Sequence, residues 1–426
     1  KEDKKYTTGK GRYTDDIKRD GQLSAFFVRS NVAHATIKKI DVSKALTCDG
    51  VAAIYTGDDI AADGVGGPIC GWVPTNRDGS APKEPPHPLL ARSKVRYVGD
   101  HIAVVIAESL EQARSAAEKI TIDLDVLPPV VDLSTAIGNT QIHDEMDDNI
   151  YFDWELGDES ATASALESAA KIVELTVTNN RVIPNAIEPR AAVAEYNETN
   201  ESFTLYTTSQ NPHLTRLVMA AFMLQIPESK LHVVAPDVGG GFGSKIYIYP
   251  EEAVCTWATK KLRRPIKWTA ERSEAFLGDA HGRDHVNKVK VGLDQNNKIV
   301  GLRVDTLANL GAYLSAFSMV TPTYLHGTLL SGCYNIPAIY TNVKGVCTTT
   351  VNVDAYRGAG RPEATYLLER TMDYAARQVG MDPAEFRRIN FIPKDAFPYQ
   401  TAVALQYDVG DYEAPLDRAL EMINYK

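Results

Sequence analysis

Three stretches of this chain carry residues whose types and spacing suit the grip of a large polar ligand. The first is Val238-Gly239-Gly240-Gly241-Phe242-Gly243-Ser244-Lys245, four glycines around one aromatic. Glycine lets bare backbone N–H groups come close to an electron-rich group, and a following helix start adds to the attraction. The second is Asp354-Ala355-Tyr356-Arg357-Gly358-Ala359-Gly360-Arg361-Pro362-Glu363, small residues and two arginines ahead of a proline suited to opening a helix. That pattern fits an anion or a polar cofactor. Its plainer reading is that Arg357 and Arg361 pair with carboxylates at domain contacts. The third is Thr208-Ser209-Gln210-Asn211-Pro212-His213, an amide-bearing strand end with Asn211 and Pro212 placed to start a helix.

The familiar nucleotide loops fail on single residues. A G-x-G-x-x-G fingerprint from Gly239 needs glycine where Ser244 stands. A G-x-x-x-x-G-K-[ST] loop needs that same glycine and a hydroxyl where Ile246 stands. Taken alone, the glycine loop fits a tight structural turn somewhat better than a site. The five cysteines, Cys48, Cys70, Cys255, Cys333 and Cys347, show no C-x-x-C spacing, so neither an iron–sulfur cluster nor a structural zinc is expected on this chain. Their odd count and scatter fit a reducing, cytoplasmic compartment. His281 and His285 lie four apart, but Gly282 between them favours a loop over a shared helix face, and no metal ligand is assigned on any side chain.

The elements that must position these stretches can be read from periodicity. Leu231 to Ala235 reads as a buried strand before the glycine loop, and Pro250 with Glu251 and Glu252 suits the first turn of a helix after it. A helix is expected from Pro212 to Leu224, and a long one from Pro362 with Leu367, Leu368, Met372 and Ala375 on its buried stripe. Earlier in the chain, Gln22–Arg29, Ala35–Ile40, Val51–Thr56 and Arg96–Ala107 read as strands, and Ser109 caps a helix. The Gly- and Pro-rich segment from Ala61 to Pro88 reads as a long surface loop lying over an active site or a partner.

At 426 residues, two or three domains are expected, of α+β class. Residues 1–130 form a first unit ending at Leu127-Pro128-Pro129, residues 140–395 a larger second one, and residues 396–426 the start of a further subdomain. The net charge of -10 argues against nucleic-acid binding, and the longest apolar runs are too short to span a bilayer. The charged opening Lys1-Glu2-Asp3-Lys4-Lys5 is not a signal peptide, and it is compatible with a start inside a longer product.

Taken together, the three stretches resemble those of the molybdenum hydroxylases, the xanthine dehydrogenase, aldehyde oxidase and carbon monoxide dehydrogenase group. Gly9-Lys10-Gly11-Arg12-Tyr13-Thr14-Asp15-Asp16-Ile17 and Phe27-Val28-Arg29-Ser30 with His34-Ala35 resemble that family's α/β hammerhead domain. Gln210, Gly240-Gly241-Phe242-Gly243 and Arg357-Gly358 fall in what look like the three cofactor motifs of its molybdenum domain. The resemblance implies a hammerhead domain followed by the first part of a molybdenum-pterin-binding domain. It implies a molybdenum-pterin cofactor in the cytosine dinucleotide form, with iron–sulfur clusters and FAD on partner subunits. Gln210 would donate its amide N–H to a molybdenum oxo group, a backbone N–H near Phe242 would do the same, and Arg357 would hold an oxygen or the pterin edge.

The same resemblance implies hydroxylation of a small molecule with water as oxygen source. Departures narrow it. Members that oxidise carbon monoxide carry cysteine where Gly358 stands, and xanthine oxidases carry an aromatic where Ala359 stands and an acid where Ile246 stands. An aldehyde or an apolar N-heterocycle is therefore expected. Nothing after Glu363 matches the family's glutamate base, and Glu413 and Glu421 read as solvated, so other polypeptide, such as a second molybdenum-domain chain, would complete the site. Two alternatives stay open: a carbon monoxide dehydrogenase-like large subunit, and a non-catalytic assembly subunit of the same fold.

Overall fold

The computed structural model describes residues 3–146 and 148–425. Its largest sheet joins the two ends of the expected domain pattern. Seven strands run in the order Leu231–Val234, Ser202–Thr207, Ala191–Asn197, Ile266–Thr269, Leu23–Arg29, His101–Ala107 and Val51–Thr56. The seam is a parallel pairing of Leu23 with Ile266 and Ser24 with Lys267. Strands from before and after residue 130 thus share one hydrogen-bonded layer, which periodicity cannot reveal.

His101–Ala107 is buried at every position, so its sequence reads as a continuous apolar run instead of an alternation. The strand expected from Arg96 to Ala107 begins only at His101, and the preceding Lys94–Val95 belongs to a separate three-stranded sheet with Ala35–Asp41 and Thr121–Val126. Between the two the chain turns through Gly99, at φ +106.

A second sheet of five strands, Ile150–Gly157, Ile339–Cys347, Ile299–Gly311, His285–Leu293 and Lys171–Asn179, makes the other half of the molecule. Three helices adjoin the motif stretches: α1 (Pro212–Val218), α2 (Pro250–Leu262) and α3 (Arg361–Gln378). α1 continues through a π-helical turn, Met219–Leu224, and stops at Gln225 in the left-handed region. α3 lays Leu367, Leu368, Met372 and Ala375 against Val289 and Val304 of the second sheet, as its stripe requires. His281 and His285 share no helix face: His281 bridges to Val353 and His285 opens a strand. No described helix is long and apolar enough to cross a membrane.

The segment after Ala62 holds no helix or strand until Lys94, yet it is tied down. Gly66 N–H donates to Met223 at 2.9 Å, Gly71 N–H to Ala316 at 2.9 Å, and Lys83 N–H to Tyr151 at 2.8 Å. It straps the first region to the second.

Candidate active site

The three motif stretches, over a hundred residues apart at their extremes, meet through backbone contacts. Gln210 follows the end of the strand Ser202–Thr207 and precedes α1, which Asn211 caps by accepting from Leu214 N–H at 3.2 Å. Gln210 N–H donates to Lys245 C=O at 2.8 Å. Its side-chain oxygen then accepts from Gly243 N–H at 2.9 Å and Lys245 N–H at 3.3 Å. Only the oxygen of an amide can accept, so these two donors fix which way the group is turned. The Gln210 NH₂ is left facing outward, with no partner among the described residues.

The glycine loop is built around that side chain. A Cβ on Gly241 would fall 2.3 Å from Gln210 Oε1, and one on Gly243 would fall 2.2 Å from Ala355 C=O with φ at +105. Gly241 therefore admits the amide and Gly243 admits the third motif. Phe242 itself sits at φ +53 with its ring exposed. Phe242 C=O accepts from Arg357 N–H at 2.8 Å, while the N–H groups of Gly240, Gly241 and Phe242 donate to nothing among the described residues.

Behind the loop, Glu188 acts as a clamp. It accepts from Gly239 N–H at 2.6 Å, and its carboxylate and C=O accept from Lys245 Nζ at 3.1 and 2.8 Å. Burial lowers the Lys245 pKa, an effect that Glu188 opposes.

Arg357 and Arg361 make no ion pair with a carboxylate among the described residues, contrary to the plainer reading of the sequence. The arginine that does pair here is Arg283, which the sequence did not single out. It bridges to Glu363 at 3.0 Å and donates to the C=O groups of Arg357 at 2.9 Å and Tyr356 at 3.3 Å. It also lies 4.8 Å from the Tyr356 ring centroid. With its backbone held this way, the exposed Arg357 guanidinium has no partner among the described residues.

Asp354 anchors the same loop from inside. Its carboxylate accepts from Ala355 N–H at 2.5 Å, Phe317 N–H at 2.9 Å and the Ser315 hydroxyl. Burial nonetheless pushes its pKa up to about 6. Tyr247 OH donates to Ala355 C=O at 2.7 Å, and Tyr249 OH to Ser244 C=O at 2.6 Å, so the two tyrosines tie the third motif and the glycine loop to one core.

Deeper still lies a charged cluster that sequence reading missed. Glu251 and Glu252 do occupy the first turn of α2, but both are buried. Glu251 accepts from Arg190 at 3.0 Å through each oxygen and from Arg29 at 2.7 Å, and Arg190 also donates to Asp279 at 2.6 Å. Burial would raise the Glu251 pKa, but Arg190, His101 and Arg29 hold it well below the ordinary range. The Arg190 guanidinium stacks 3.6 Å from the Tyr249 ring centroid, linking the cluster to the loop above. Their wide separation in sequence, Arg29 to Asp279, hides the cluster from any local pattern.

The donors left free on the three stretches are an outward amide, three backbone N–H groups and an unpaired guanidinium, with no metal-holding group of His, Cys, Asp or Glu among the described residues. That set suits the oxygens and polar edge of a pterin–metal group held without protein ligation. Comparison with known proteins gives the family. Residues 142–391 match the molybdopterin cofactor-binding domain, and residues 8–128 match the aldehyde oxidase and xanthine dehydrogenase a/b hammerhead domain.

The chain belongs to the molybdenum hydroxylase family.

Among its relatives in the family is the carbon monoxide dehydrogenase large chain of Hydrogenophaga pseudoflava, 36% identical over all of this chain and 53% of that one. The nicotinate dehydrogenase large molybdopterin subunit of Eubacterium barkeri is 29% identical over 98% of this chain and 94% of its own length. Among solved structures, CO dehydrogenase from Oligotropha carboxidovorans superposes with a TM-score of 0.91 at 31% identity, covering 100% of this chain and 53% of that one. Quinoline 2-oxidoreductase from Pseudomonas putida 86 does so at 0.89, with 31% identity and the same coverage. The chain spans about half the length of the first of these relatives. The molybdenum hydroxylase relatives are named as large chains and subunits of multi-subunit enzymes.

Proposed function

We propose that this chain is the part of a molybdenum-binding large subunit that holds the inner face of the cofactor, in a complex that hydroxylates an N-heterocycle or an aldehyde with water. One observation carries the reading: the Gln210 amide, the free N–H groups of Gly240, Gly241 and Phe242, and the Arg357 guanidinium are all left unsatisfied around one glycine loop. Donors held ready and unpaired are what a preorganised site offers to developing negative charge. The cofactor, when bound, supplies a metal centre able to deliver oxygen from water to an electrophilic carbon and to accept two electrons.

This chain's own residues do the positioning. Gln210, its oxygen committed to Gly243 and Lys245, presents N–H and not C=O to the cofactor. Gly241 and Gly243 let the loop close upon it, and Phe242 offers its N–H and its exposed ring. Arg357 holds an oxygen with its planar fork, on a backbone that Arg283 keeps in place, and Gly358 lets the chain turn beside it. Asp354 and Arg283 move no proton; they fix the loop that carries Arg357.

The family likeness further supports a cytosine dinucleotide on the pterin, iron–sulfur and FAD-bearing partners, and a base glutamate supplied by further polypeptide. It supports a division into a hammerhead domain at 1–130, a first cofactor subdomain at 140–395 and the start of a second at 396–426. The free cysteines suit the cytoplasm.

A carbon monoxide dehydrogenase-like reaction is the second reading, favoured by identity to those relatives. The local backbone opposes it. Gly358 sits at φ +104, and a Cβ there would fall 2.4 Å from Pro362 Cγ, so this turn cannot take cysteine unchanged.

The test is to purify the assembled complex and measure molybdenum per chain and the nucleotide released by acid. Near-stoichiometric metal with CMP supports the reading, and its loss in an R357A/Q210A double variant localises it. A wild-type complex devoid of molybdenum would leave a non-catalytic assembly subunit as the better account.

A further inference from the structure

We propose that the cavity lined by Asp284 and Phe276 is a second ligand site, one that takes a small apolar molecule carrying an ammonium group. None of Gln210, Phe242 and Arg357 lines this cavity. The inference therefore stands without the cofactor reading.

The cavity has a volume of about 620 Å³, within the usual span for a small-molecule pocket. Val98, Val131, Phe276 and Leu277 line it, and all four are exposed. Large apolar side chains left open together at one cavity mark a surface that gains from being covered. The wall is built from both regions of the chain. Gly99 lets the turn after Val98 close on Leu277, since a Cβ there would fall 2.9 Å from Leu277 Cβ.

The polar lining sets the charge of the ligand. Arg181 donates to Asp284 Oδ2 at 2.7 Å, His281 Nδ1 at 3.2 Å, Val351 C=O at 2.9 Å and the Thr350 hydroxyl at 2.7 Å, so its guanidinium is already engaged. An arginine only donates, so His281 Nδ1 accepts and its Nε2–H donates to Phe276 C=O at 3.3 Å. His281 is thus neutral, in keeping with burial that lowers its pKa to about 4. Asn309 also donates to Asp284 Oδ2, at 3.0 Å, which leaves Asp284 Oδ1 without a partner among the described residues. Asp132 adds a second carboxylate to the lining. An ammonium group answers the open oxygen of Asp284, and the exposed Phe276 ring offers a face to the same cation. An anion would be repelled.

The cavity also backs the third motif. Arg283 and Asp284 are consecutive and both left-handed, at φ +68 and +69. Arg283 donates to Arg357 C=O at 2.9 Å, while Asp284 lines the cavity. Asp354 N–H donates to His281 C=O at 2.9 Å. A ligand held by Asp284 therefore bears on the residue next to the one that fixes the Arg357 turn.

Calorimetric titration of the assembled complex with phenethylamine tests the site, beside 2-phenylethanol and 3-phenylpropionate, which carry the same ring without charge and with a negative one. The wild type should bind the amine with a Kd of about 1 mM or tighter. The alcohol should bind about fivefold more weakly and the acid not measurably. D284N keeps an oxygen for Arg181 and tolerates a left-handed backbone, so it should fold normally yet bind the amine about fivefold more weakly. V131W, at an exposed position, should fill the cavity and abolish binding. Hydrogen exchange in the peptide spanning residues 354–362 should slow about twofold when the wild type is saturated, and should not change in D284N. No binding by the wild type, equal binding of the three compounds, or an affinity that survives either substitution unchanged would overturn the site. Unaltered exchange at saturation would overturn its link to the Arg357 turn.

Discussion

Gln210 Oε1 accepts a hydrogen bond from the backbone N–H of Gly243 at 2.9 Å. With Lys245 N–H at 3.3 Å on the same oxygen, the side chain has a single orientation, and its NH₂ is the group presented to a ligand. A residue that looks interchangeable in sequence becomes a directed donor.

Gln210→Glu tests that direction. Its carboxylate can still accept from Gly243 and Lys245, so the melting temperature should shift little. The outward group changes from donor to acceptor, and kcat of the molybdenum-loaded complex should fall by roughly 10²–10³-fold, as when a single oxyanion donor is removed. Unchanged kcat at equal metal content would remove Gln210 from the site.

Gly243→Ala should be far costlier than Gly380→Ala. Both glycines have positive φ, but a Cβ at 243 meets Ala355 C=O at 2.2 Å while one at 380 meets nothing within 4 Å. The expected cost at 380 is about 1 kcal/mol for the left-handed backbone alone. At 243 the glycine loop and the Arg357 turn must separate, so cofactor retention should drop together with thermal stability. Metal analysis and melting curves of the two variants check the contrast.

Removing Arg190 should destabilise the protein severely. Arg190→Met leaves Glu251 with only Arg29 and His101 and strips Asp279 of the bond at 2.6 Å. Breaking one side of a buried charge network typically costs about 3–5 kcal/mol. Denaturant unfolding that showed a loss under about 1 kcal/mol would mean that water reaches the cluster.

Asp354 gives a pH signature of defined sign. Its folded pKa is raised from 3.8 to about 6, so the folded state holds the proton more tightly than the unfolded chain. Its contribution to stability is therefore greatest below pH 4 and declines as pH rises to about 6, by at most about 3 kcal/mol. Asp354→Asn lacks this titration. The melting temperature of wild type minus variant should therefore increase as pH falls from about 7 to 4. A difference independent of pH would show that Asp354 titrates normally.

Gly358→Cys places a thiol where carbon monoxide-oxidising relatives carry one. With φ +104 and Pro362 Cγ 2.4 Å from the new Cβ, the turn must shift. The variant should lose molybdenum and gain no CO-dependent dye reduction even with added copper. CO oxidation in that variant would show that the turn adapts and would revive the second reading.

The sequence by itself determined the local pieces. Asn211-Pro212, Pro250 and Arg361-Pro362 start helices because proline and cap residues act within one turn. The glycine loop, the Gln210 strand end and the Arg357 turn were legible because backbone freedom and donor chemistry belong to residue types. The stripe of α3 was legible because a period of 3.6 survives any tertiary context. Tertiary structure decided the rest. It merged Leu23–Arg29 with Ile266–Thr269 in one sheet, turned the start of the strand expected from Arg96 into a loop as far as Asp100, gave Arg283 the role of holding the Arg357 turn, and drew Arg29, Arg190, Glu251 and Asp279 into one buried cluster. Ion pairs and strand pairings between distant segments leave no periodic trace, because they depend on which surfaces meet after each element has formed.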